Sequence, residues 1–75
     1  MAKKDSNKTS RVYKRVHLVG ISSEGFEDAI NNAIAKASET LSGLSWFEVK
    51  ELRGSIANSQ VQEYQATVVL NFEVR

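Results

Sequence analysis

The chain contains no cysteine and no proline, and only one histidine and one tryptophan among its 75 residues. Without cysteine there is neither a disulfide staple nor a thiolate metal site, and a lone histidine supplies too few ligands for a structural zinc. No apolar run approaches the ~20 residues of a membrane span, and the basic N-terminus lacks the apolar core of a signal peptide. A soluble, cytoplasmic protein is therefore predicted. An excess of one charge is also missing, because ten Lys and Arg stand against nine Asp and Glu for a net charge of +1. So even a balance gives no general attraction to nucleic acid or membrane.

Size sets the next constraint. A domain this small offsets its chain entropy, roughly 1.5 kcal/mol per ordered residue, only narrowly, and short chains lean on disulfides, metals or self-association. With the first two excluded, self-association is the expectation.

Residues 1–10 (MAKKDSNKTS) are polar and aperiodic. They predict a disordered leader in which Lys3, Lys4 and Lys8 are solvated charges, ahead of a single domain over residues 11–75. Residues 11–20 (RVYKRVHLVG) alternate as a strand, with Val12, Val16 and Leu18 on one face, Tyr13, Arg15, His17 and Val19 on the other, and Gly20 as its end. His17 has no second His and no Cys to share a metal with, so it reads as a surface or subunit-contact residue.

Ser22 and Ser23 then offer helix-capping hydroxyls, and Glu24, Glu27 and Asp28 suit the positive end of a helix dipole. Phe26, Ala29, Ile30, Ala33, Ile34, Ala37 and Leu41 keep helical spacing, and Gly43 supplies a stop. The stripe is narrow and alanine-rich. Such a helix should lie close against a sheet.

Residues 44–54 (LSWFEVKELRG) form a second strand, 54–59 (GSIANS) hold turn formers, and 60–75 (QVQEYQATVVLNFEVR) form a long third strand. One face of the third strand, Tyr64, Ala66, Val68, Leu70, Phe72 and Val74, is almost wholly apolar; the other carries Val61, Glu63, Gln65, Thr67, Val69, Asn71 and Glu73. Strict alternation in the second strand puts Trp46, Glu48, Lys50 and Leu52 on one face and Phe47, Val49, Glu51 and Arg53 on the other. Phe47 and Val49 read as core, so Trp46 should point outward as a rigid flat surface. The expected fold is α+β, β-α-β-β, with a three-stranded antiparallel sheet in the order 1-3-2 packed around one helix.

The segments VYKRVHLVGIS, SWFEVKELRGSI and VQEYQATVVLNFEV, set in this order around an alanine-rich amphipathic helix, resemble the dodecins, small flavin-binding proteins. The likeness runs from about Val12 to Val74. It implies a hollow homododecamer holding flavins (FMN, riboflavin or a related flavin) in pairs between tryptophans at two-fold subunit interfaces, for storage or protection and without catalysis. By motif, Trp46 of WFE would stack on the isoalloxazine ring, and Gln65 of EYQ would hydrogen-bond its polar edge. Arg53 of the RG pair would lie near the ligand or in inter-subunit ion pairs. Trp46 and Gln65 both fall on non-core faces of hairpin neighbours, where they could line one site. Arg53 falls opposite Trp46 by strict alternation, so a bulge or a contact across an interface is required. Dodecins commonly carry a base where this chain has Glu73, and an acid where it has His17.

Two other classes fit less well. An enzyme would need a phosphate loop, a metal cluster or a nucleophile paired with a base, and the chain shows none of these. A small interaction module for nucleic acid or protein, without flavin, is the alternative, although the near-neutral charge gives little attraction for phosphate.

Overall fold

The computed structural model describes residues 10–75 and builds them from β1 (Val12–Ser22), α1 (Phe26–Ala37), β2 (Leu44–Ala57) and β3 (Gln60–Val74). Apart from Ser10, the leader expected over residues 1–10 lies outside the described residues. The three strands form one antiparallel sheet in the order β1-β3-β2, as the alternation predicts. The longest and most apolar strand takes the centre because there its whole backbone pairs on both sides.

The register aligns the apolar parities. Val16 pairs with Leu70, Leu18 with Val68 and Gly20 with Ala66 on one side of β3, and Phe47 pairs with Leu70 and Val49 with Val68 on the other. On this face Ala29, Ala33 and Ala37 of α1 meet Ala66, Val68 and Leu70, with Val16, Leu18, Ile30 and Ile34 around them. Gly20 does not end β1; it is buried inside it. A Cβ there would collide with the Ala29 carbonyl and lie 3.1 Å from Ala33 Cβ, so the missing side chain is what lets the helix lie so close.

Three local boundaries differ from expectation. The helix ends at Ala37, where the Ser38 hydroxyl donates to the carbonyls of Ile34 (2.9 Å) and Ala35 (3.0 Å), while Leu41 packs on the core from beyond the helix. At its start the N-cap position is Gly25, with no side-chain cap. Ser22 instead ties the preceding loop, accepting from the Glu24 N–H at 2.8 Å and donating to Asp28 Oδ2 at 2.7 Å. The expected turn over residues 54–59 shrinks to Asn58 and Ser59, both left-handed (φ 54° and 63°), which suits a two-residue hairpin matched to strand twist. Residues 54–57 extend β2.

The helix covers β1 and β3 but not β2. Phe47 and Val49 lie on the helix side as expected, yet they are 45% and 41% exposed and do not belong to the core of the single chain. Leu52 and Ile56 are 50% and 75% exposed. The reason is width: a helix about 10–12 Å across spans about two strand spacings of ~4.8 Å. No helix among the described residues is long and apolar enough to cross a membrane.

Candidate functional site

The sheet face turned away from α1 carries the chemistry, and irregularities in β2 decide what stands on it. Val49 pairs with Val68, but the next pair is Glu51 with Thr67, so Lys50 is an extra residue bulged out of the ladder. Beyond the bulge the alternation is inverted. Leu52, opposite Ala66, turns to the helix side, and Arg53, opposite Gln65, joins Trp46 on the outer face. A similar shift at Ser45 separates Leu44, which packs on the core, from Trp46.

Trp46 is 45% exposed and lies opposite Asn71, whose side-chain N–H donates to the Trp46 carbonyl at 3.4 Å. Tyr13 of β1 reaches over β3 to the indole, with ring centroids 4.7 Å apart and planes tilted by 57°. Next to this pair, Arg15 grips Glu48 with two prongs, Nη2 to Oε1 at 2.8 Å and Nη1 to Oε2 at 3.3 Å, and Nη1 also donates to Asn71 Oδ1 at 3.2 Å. Asn71 is only 1% exposed, and these bonds satisfy its amide on both sides. The hydrogen bond from Arg15, aided by the nearby positive charges of Arg15 and Lys50, holds the Glu48 carboxyl below its ordinary value.

Farther along the same face Arg53 Nε donates to Gln65 Oε1 at 2.9 Å, and Gln65 Nε2 donates to Glu63 Oε1 at 3.3 Å. Of the three residues singled out from sequence, the structure therefore brings Gln65 and Arg53 into contact. Trp46 stands apart, because its partner Asn71 is six residues along β3 from Gln65, or roughly 20 Å at the rise of a strand. Within one chain, Trp46 and Gln65 do not line one site. A flat ligand touching both would have to lie between two copies.

A cleft of about 150 Å³ opens between α1 and β2, lined by Ile34, Leu44, Ser45, Trp46, Phe47 and Leu70. It is smaller than the roughly 300 Å³ at which ligand pockets begin. His17 is exposed and shares a row with Val69 and Glu48. The described residues include no group of three or more His, Cys, Asp or Glu side chains placed to hold a metal ion.

Tyr13, Arg15 and Asn71 were not singled out from sequence, although a signal for them existed. Once β3 is central, Tyr13 and Arg15 share the polar parity of β1, and both end beside the one tryptophan.

The dodecin family model matches residues 12–75. A dodecin of Thermus thermophilus is 52% identical over 64 residues, covering 85% of this chain and 93% of that protein. The crystal structure of the tt0972 protein from Thermus thermophilus superposes with a TM-score of 0.84 at 51% identity, covering 87% of this chain and 96% of that one. The dodecin of Streptomyces coelicolor gives 0.86 at 37% identity, covering 89% and 96%. The order β1-α1-β2-β3, the outward Trp46 and these likenesses lead to one conclusion: the chain belongs to the dodecin family.

Proposed function

We propose that this protein is a flavin-binding storage or sequestration protein of the cytoplasm, non-catalytic, assembled as a closed homododecamer with flavins at subunit interfaces. The observation that carries the reading is Trp46: the only tryptophan, 45% exposed on a rigid sheet, backed by Tyr13 and flanked by the Arg15–Glu48 pair, in a chain of this family. An indole held this way offers a fixed, electron-rich plane to a flat electron-poor ring. Gln65 and Arg53 serve the polar edge of that ring from another copy, consistent with their distance from Trp46 along the sheet.

Assembly follows from the same surface. Among the described residues, ten large apolar ones are more than two-fifths exposed in the single chain, far more than a small monomer leaves bare. A ligand between two facing tryptophans has both ring faces covered, which suits keeping a flavin and leaves no face for a second reactant. The test is to purify the protein, heat it, and record the absorbance of what is released, with light scattering on the unheated sample. A flavin spectrum and a mass of twelve chains are expected. A monomer that takes up no added riboflavin would overturn the reading.

A further inference from the structure

We propose that Glu63 is a positioning residue of the ligand site. Together with Arg53 it locks the Gln65 amide in one orientation and so selects rings whose edge alternates C=O and N–H. The inference rests on the flavin reading above for its ligand, and on this chain's own hydrogen bonds for its geometry.

A primary amide has two N–H donors and an oxygen with two lone pairs, and its oxygen and nitrogen ends are nearly equal in shape. Nothing intrinsic fixes which end faces a ligand. Here the two flanking groups do. The Arg53 guanidinium can only donate, and it takes Gln65 Oε1 at 2.9 Å; the Glu63 carboxylate can only accept, and it takes Gln65 Nε2 at 3.3 Å. Turning the amide over would set its NH2 against a donor and its oxygen against an acceptor, so both bonds would become repulsions. Arg53 is steadied in turn by Glu51, whose Oε1 is 4.0 Å from Nη1.

The backbone supplies this arrangement. Glu63 and Gln65 are two apart on β3 and share its outer parity, and the Lys50 bulge brings Arg53 opposite Gln65 on that same face. With one N–H and one lone pair already used, Gln65 keeps one donor and one acceptor for a partner. Their complement is a carbonyl beside a ring N–H, the imide edge of a flavin. A ring that carries a methyl at that nitrogen cannot donate, and it leaves the Gln65 oxygen short of a partner.

The experiment compares riboflavin with N3-methylriboflavin on the full chain and on Glu63→Leu and Glu63→Gln. The parent should bind the methylated ring about tenfold more weakly, the scale of one lost hydrogen bond at a site. Glu63→Leu should narrow that ratio to about threefold or less, while quenching of bound riboflavin by Trp46 persists. Glu63→Gln, which keeps an acceptor oxygen, should restore most of the discrimination. In the ligand-free protein the Gln65 side-chain NH2 resonances should move on Glu63→Leu. If the parent ratio survives in Glu63→Leu, or those resonances stay in place, the assignment is wrong. If the parent binds neither ring, the flavin reading fails, and the resonances still decide whether Glu63 anchors Gln65.

Discussion

Arg15 on β1 and Glu48 on β2 are joined across the central strand, Nη2 to Oε1 at 2.8 Å, with the buried Asn71 amide beneath them taking a third bond from the same guanidinium. The two edge strands do not touch through their backbones, so this pair and the Tyr13–Trp46 contact are side-chain ties across the outer face. Both ties end at or beside the candidate stacking residue.

Acid should loosen the first tie. Arg15 lowers the Glu48 carboxyl below its ordinary 4.5, so the pair adds stability above that value and the contribution is lost as pH falls through the lowered value in the folded protein. Glu48→Gln should therefore melt at lower temperature than the parent near neutral pH, with the difference closing below pH 4.5. Because the pair is partly exposed, added salt should shrink the gap at neutral pH. Thermal melts at several pH values check this, and a gap that stays constant with pH would sink it.

Trp46→Ala should weaken flavin binding by about ten- to a hundredfold, since stacking on an aromatic ring is worth roughly 1–3 kcal/mol. Flavin that remains bound should fluoresce more strongly, because the nearby electron donor is gone. Trp46→Phe should fall between parent and alanine variant. Light scattering should show the alanine variant still assembled; dissociation would make Trp46 chiefly a subunit contact.

Deleting Lys50 should be tolerated nearly as well as replacing it. Lys50→Ala keeps the extra residue in the ladder and only loosens a surface pair with Glu48 at 3.5 Å, a change of about 1 kcal/mol or less. Deletion closes the ladder, because Val49 opposite Val68 is then followed directly by Glu51 opposite Thr67: Trp46, Phe47, Leu52 and Arg53 all keep their faces, and only the local bend of the bulge is lost. Assembly and flavin uptake should both survive the deletion, as size-exclusion chromatography and flavin titration would report; their loss would mean that the bend of the bulge is itself required.

Glu73 lies opposite Tyr13 on the outer face, with its carboxylate 3.3 Å from Arg75 Nη2. If a flavin tail runs near it, riboflavin should bind at least as tightly as the mononucleotide. Glu73→Arg should then shift the preference toward the phosphate by about two- to fivefold, the range of an exposed charge pair. A strong preference for the mononucleotide that persists in Glu73→Gln would place the phosphate on another basic group.

Legibility in the sequence divided along physical lines. The strand order could be read because three parities, those of β1, β3 and the alanine stripe of α1, agree on a single face. Arg53 was harder, since nothing in VKEL marks Lys50 as the residue that leaves the ladder, and alternation carried through it gives the wrong side. Phe47 and Val49 have the composition of core residues, but whether they are covered depends on the width of one helix over three strands, which no local pattern encodes. Gly20 reads as a strand end by composition, while its use is to admit the Ala29 carbonyl. The lock on Gln65 needed the bulge to be known first.

Under the proposed assembly, the row Phe47, Val49, Leu52 and Ile56, left bare by α1, also determines how the protein comes into being. A chain that buries these residues only against its own copies finishes folding through encounters, so the approach to the native state accelerates with concentration. Dilution holds the same chain in a sticky intermediate with long, unpaired strand edges. Refolding yield should therefore pass through a maximum in protein concentration, limited by slow encounter below it and by mispairing above it.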